Sequence, residues 1–209
     1  MNVRNIVAVV ATLGALVGCS DSGSDTTGPG QGRIALRLTD APFPLDQVQS
    51  IDVFVVRVEA KAEATTEAEA AMSVQGDESS AGGWIVLATP NASFDLMDLQ
   101  NGVSVALGDA AVAAGSYRSL RLILDTNQSS VTLKDGTILT GTSSPSIMFP
   151  SAGKTGIKVL FDTPILVDEG ETTLVLLDFD AENSFVLRGN TILQNGLLFK
   201  PVIQASVME

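Results

Sequence analysis

Apolar side chains recur at every second position along most of this chain, and short turns cut the runs. This constrains the fold more than any other feature. Alternate side chains of a strand point to opposite faces, so a period of two suits a half-buried sheet and not a helix. In "RIALRLTDAP", Ile34, Leu36 and Leu38 alternate with Ala35 and Arg37. "QSIDVFVVRVEA" carries Ile51, Val53 and Val55 on one parity and Phe54, Val56 and Val58 on the other, which predicts a strand covered on both faces. "GGWIVLA" and "SYRSLRLILD" follow, with Leu120, Leu122 and Leu124 sharing one face of the latter. "SSVTLKDGTILTG" predicts a hairpin with Asp135-Gly136 at its turn, a pair that tolerates positive φ. "GIKVLFDTPILVDEGETTLVLLDFD" predicts three strands, broken at Thr163-Pro164 and Glu169-Gly170. "NSFVLRGNTILQNGLLFKPVIQAS" closes the chain with turns at Gly189-Asn190 and Asn195-Gly196. Short strands with regular turn signals predict an all-β sandwich or barrel.

One segment breaks the pattern. Glu59 to Gly83 is rich in Ala and Glu, with Met72 and Val74 its only large apolar residues past Val58. It offers no apolar stripe for a helix to bury. Its middle, about residues 60–82, reads as a solvated insertion between strands; a mobile loop over a binding face is the less favoured alternative.

The first residues have another purpose. Arg4 precedes the uncharged run "IVAVVATLGALVG", the layout of an export signal. A helix of that length spans about 20 Å, too short for a hydrocarbon core of about 30 Å. The run ends in "LVGC", which resembles the bacterial lipobox. The resemblance implies cleavage after Gly18, a diacylglyceryl group on the Cys19 thiol and acylation, typically with palmitate, of the new amino end. More than one fatty chain is what durable anchoring needs. Cys19 is the single cysteine of the chain, so no disulfide can form within it. Ser20 follows it, with the first aspartate one place later, which favours an outer-membrane destination. Residues 1–18 are thus read as a signal peptide and 19–32 as a lipidated cysteine with a Gly/Ser/Asp tether. Residues 33–209 are read as one domain.

Composition removes whole classes of chemistry. There is no histidine, so Ser-His-Asp and Cys-His catalysis, His-ligated zinc and His-ligated haem are excluded. A lipidated Cys19 excludes thiol catalysis and iron–sulfur clusters. A formal charge of −12 disfavours nucleic acid and anionic lipid head groups as partners. Carboxylate-pair enzymes such as glycosidases remain open by composition.

A family resemblance rests on "LTDAPFPLDQVQSIDVFVVRVE", "FDLMDLQNG", "AAGSYRSLRLIL", "GIKV", "LLDFDAENSFV" and "FKPVI", in that order. Across Arg33 to Ser206 the chain resembles the domain-of-unknown-function 4382 family of exported bacterial and archaeal proteins. The resemblance implies an immunoglobulin-like or prealbumin-like β-sandwich and implies no activity.

Two constellations bear on ligands. Asp178, Asp180 and Glu182 fall two apart, and on a strand they would project to one side, where their oxygens could hold Ca²⁺. The preferred reading is a strand leaving the core into a solvated turn whose backbone Asp180 and Asn183 satisfy, with no metal and no cofactor. Asp40, in "LTDAPFP", is read as a turn residue in preference to a member of a ligand cluster. The functional expectation is a non-catalytic interaction or structural module on the cell envelope, joined to the membrane by its lipid and in contact with an envelope protein or glycan. A carbohydrate-binding module, calcium-dependent in one version, is the alternative, with Trp84 as its one plausible aromatic platform. Phe54 and Phe161 are assigned to the core. A carboxylate hydrolase comes third.

Overall fold

The structure is a computed structural model and describes residues 30–41, 46–63, 83–150 and 155–208. The expected signal segment 1–18, Cys19 and nearly all of the tether lie outside the described residues, as do residues 64–82 of the insertion.

Strand β1 (Gln31–Asp40) starts slightly before the boundary expected at Arg33. Ile34, Leu36 and Leu38 are buried, while Arg33, Ala35 and Arg37 between them are half-buried. The alternation of the sequence is thus the alternation of burial. β1 sits inside a four-stranded sheet, between β5 (Val105–Ala113) and β11 (Thr172–Phe179), with β14 (Ile203–Met208) beyond β11. β5 runs antiparallel to β1, but β11 runs parallel, in unbroken register from Arg33↔Thr172 to Asp40↔Phe179.

The second sheet is organised by the long strand β2 (Val48–Ala62). β6 (Gly115–Leu124) and β7 (Ser130–Leu133) lie end to end along one edge of β2. β3 (Trp84–Ala88) and β4 (Ala92–Asp95) line the other edge. β8 (Ile138–Leu139) extends the sheet beyond β7, and β10 (Ile157–Val167) beyond β6. The β7–β8 hairpin turns where expected, at Gly136 with φ +87°. In β2 the register to β6 shifts between Val55 and Arg57, so Val56 is an extra residue. Buried positions change parity across this bulge, from Ile51, Val53 and Val55 to Val58 and Ala60. β10 corrects the expectation of a break at Thr163-Pro164: the strand is continuous, and Pro164 lies in a stretch where the register to β6 shifts. A residue without an N–H donor is tolerated there because no ladder bond is asked of it.

The two sheets pack face to face around one apolar core, with Leu36, Leu38, Val175 and Leu177 from the first and Val53, Val55, Leu120, Leu122 and Val159 from the second. The protein is therefore an all-β sandwich, as the sequence predicts. A three-stranded satellite sheet of β9 (Ile147–Met148), β12 (Phe185–Leu187) and β13 (Leu197–Phe199) is attached through aromatic rings. Phe199 lies 5.0 Å from Phe185, 5.2 Å from Phe149 and 6.2 Å from Phe179, between ring centroids. Two single helical turns, α1 (Ala181–Ser184) and α2 (Ile192–Asn195), connect these strands.

The ends of β1 define two poles. At the first, Ala114 N–H donates to the Gly30 carbonyl, and Glu63 N–H donates to the Ser116 carbonyl. The start of β1 and the end of β2, from which the insertion departs, are therefore neighbours. Asp40 is nine residues along β1 from Gln31, roughly 30 Å away at about 3.3 Å per residue.

Candidate functional site

The parallel register of β1 and β11 places Thr39 beside Asp178 and Asp40 beside Phe179. Both strands end here, so two carboxylates far apart in sequence line one cleft of about 340 Å³. Thr39, Asn101, Gly102 and Ser104 supply its other polar groups, and Leu176 and Met208 its apolar wall. Asn101 and Gly102 have φ of +59° and +84°, so the chain turns sharply on its way into β5. Thr39 Oγ1 donates to the carbonyls of Val103 and Leu99, at 2.7 and 3.0 Å, and fixes that turn against β1. Arg37 donates from Nε to Ser104 Oγ and from Nη2 to the Ser104 carbonyl.

Asp40 is only 3% exposed. Its Oδ1 accepts from Ala181 N–H at 3.0 Å, while Oδ2 is buried without a hydrogen-bond partner. Burial pushes its carboxyl up to about 7; the Ala181 N–H opposes this, the negative charges of Asp178 and Asp180 add to it, and the nearby Gln100 carboxamide pulls the other way. Asp178 also carries a buried oxygen, Oδ1, without a partner, and its carboxyl is raised by burial and then by Asp180. Asp40 thus joins a pair of carboxylates and bonds to a distant segment, where the sequence pointed to a local turn.

The trio Asp178, Asp180 and Glu182 is not brought together. β11 ends at Phe179, so the strand periodicity that would align the three stops after the first. Asp180 caps α1, accepting from Asn183 N–H at 2.9 Å and from Asn183 Nδ2 at 2.7 Å. Glu182 is exposed. Among the described residues no group of three or more His, Cys, Asp or Glu is placed to hold a metal ion. The solvated-turn reading of Asp180 and Asn183 matches this geometry.

Trp84 is not a platform. It is 8% exposed, and the Arg121 guanidinium lies 4.4 Å above its ring. The same Arg121 donates to Glu59 Oε2, and Arg57 Nε donates to Glu59 Oε1 at 2.7 Å. Glu59 is fully buried between the two. The β2 bulge turns Glu59 away from the core and onto the face where Arg121 of β6 stands opposite it. Phe161 is buried in the core as expected; Phe54 is half-buried outside it. A second hollow, of about 360 Å³, is lined by Thr126, Asn127, Thr142 and Ser146 among others and holds no titratable side chain.

Asp40 and Asp178 therefore line one cleft together. Its carboxylates and hydroxyls offer oxygen, and the Met208 thioether is its one sulfur. Its hydroxyls are those of Thr39, which donates to two carbonyls, and Ser104, which accepts from Arg37.

Residues 31–201 match the family model described as "Domain of unknown function (DUF4382)". No curated protein matches the chain. Among solved structures, the crystal structure of a "putative cell adhesion protein" from Bacteroides fragilis is similar at 11% identity and a TM-score of 0.31, covering 86% of this chain and 46% of that one. The chain thus spans less than half the length of that protein.

Proposed function

The chain belongs to the DUF4382 family, and from that premise we propose that it is a lipid-anchored interaction module of the cell envelope that acts by contact and not by catalysis. The observation that carries this reading is the polarity of β1. Its first residue, Gln31, lies at the tether end of the chain, and its last, Asp40, lines the acidic cleft. A chain held to lipid at Cys19 would present that cleft away from the membrane. The absence of histidine supports a non-catalytic role. Among the described residues no helix is long and apolar enough to cross a membrane, and the reading needs none. A sugar-binding reading loses its aromatic platform with the burial of Trp84.

Substitution of Cys19 tests the anchor. Cys19→Ala is expected to abolish palmitate labelling and to release the protein from outer-membrane fractions into the soluble phase. Unchanged detergent partitioning of that variant overturns the reading. Turnover of a glycoside by the purified protein, lost in Asp178→Asn, overturns the non-catalytic part.

A further inference from the structure

We propose that the cleft at the end of β1 and β11 is a calcium-binding site, with Asp40 and Asp178 as its anionic ligands and the oxygens of Thr39, Asn101 and Ser104 as neutral donors. Two independent features support this. The first is a carboxylate, Asp40, only 3% exposed, whose Oδ2 has no partner although the residue lines an open cleft. The second is the unpartnered Oδ1 of Asp178 in the same cleft, brought there by a different strand.

Burying an unpaired anion is costly, and burying two near each other more so. Neither carboxylate takes part in an ion pair found among the described residues. Arg37, the basic side chain of β1 nearest this end, spends Nε and Nη2 on Ser104. A divalent cation between the two carboxylates neutralises both and satisfies both stranded oxygens. The donor set selects the ion. It offers carboxylate, hydroxyl and amide oxygens with no imidazole or thiolate, and the Met208 thioether is its one sulfur, a set that suits hard cations better than zinc. Its neutral donors come from a turn outside the sheet and its anionic donors from two strand ends, an irregular cage of the kind calcium accepts and magnesium resists. Two side-chain carboxylates leave calcium's six to eight positions incomplete, so water fills the remainder.

Calcium titration of the full-length protein, purified in detergent and stripped with chelator, is the test. One calcium per chain is expected, saturable, with a Kd on the order of 10⁻⁴–10⁻³ M, the range of extracellular modules, and a Tm that rises with calcium. Asp178→Asn is expected to weaken binding at least about tenfold while leaving the circular dichroism spectrum unchanged. Asp40→Asn provides a second variant, because Asn keeps the acceptor that holds Ala181 N–H. Glu182→Gln is expected to bind as the parent does. The proposal is overturned by three results: no saturable binding up to about 10 mM calcium, binding untouched by both Asp variants, or equal loss in Glu182→Gln. The last would move the ion to the acidic turn after β11.

Discussion

At the scale of single residues, Asp40 makes stability depend on pH in an unusual direction. The folded carboxyl holds its proton up to about 7, against an ordinary value of 3.8. Between those values the folded chain binds more protons than the unfolded one, so stability falls as pH rises through that window and levels off above it. The full displacement from 3.8 to about 7 corresponds to a deficit on the order of 4 kcal/mol at alkaline pH. Asp40→Asn, with calcium chelated, is expected to flatten this slope and to be more stable than the parent at pH 8 by about 1–2 kcal/mol. Denaturant unfolding at pH 5 and pH 8 measures both, and a variant no more stable at pH 8 contradicts the assignment. Gly196 gives a sharper residue test. It ends α2 with φ +72°, and a Cβ there would clash with the Ser146 carbonyl oxygen. That carbonyl accepts from Leu197 N–H, the bond that starts the pairing of β13 with β9. Gly196→Ala is expected to cost about 2–4 kcal/mol, from backbone strain and the loss of this contact.

At the scale of elements, the outward face of the second sheet is held by a stack of charged and aromatic groups. Arg121 of β6 joins Glu59 of β2 to Trp84 of β3, and Arg57 closes the other side of Glu59. Removing one partner of a buried ion pair costs about 3–5 kcal/mol when the other is left unneutralised. Arg121→Ala leaves Glu59 paired with Arg57, so it is expected to lose less, about 1–3 kcal/mol, measured by denaturant unfolding. Arg121→Lys is expected to restore less than half, because an ammonium lacks the planar fork that meets the carboxylate and covers the ring. Recovery of full stability by Lys would show that charge alone matters. β2 and β3 also pair directly, Lys61 with Trp84, so the ends of the insertion are already adjacent. Replacing residues 64–82 by an Asn-Gly turn is expected to leave the sandwich folded and raise its stability by up to about 1 kcal/mol through a shorter closure. A large loss of stability would mean that the insertion packs on the sheet.

At the scale of the whole molecule, the sandwich was legible because burial on one face writes a period of two into the sequence. β1, β6 and the β7–β8 hairpin could be read directly. The bulge at Val56 could not, because both faces of "VFVV" are apolar and a shift of parity leaves no trace. Nor could the continuity of β10, since Pro164 reads as a break unless the irregular pairing around it is known. The cleft was half legible. Asp178 was legible only as one of three acids spaced two apart, and that spacing pointed to Asp180 and Glu182 as companions. Its true companion is set by the parallel pairing of β1 with β11, a long-range choice that alternation does not encode. Trp84 misled for a related reason: the adjacent Gly82-Gly83 suggests an exposed position, whereas Arg121, reaching across from β6 on the far side of β2, covers the ring.

The same parallel pairing has a mechanical consequence. Consider the chain held at its N-terminal end while a load is borne at the cleft. Tension then runs along the axis of β1 and drives it lengthwise past its neighbours. Eight consecutive residues, Arg33 to Asp40, are matched to β11, and β5 grips the other edge. In this shear geometry the ladder bonds resist together, whereas pulling across the strands would open them one at a time, like a zip. Held and loaded at those two ends, the sandwich would meet the force with the ladder bonds of β1 acting in parallel.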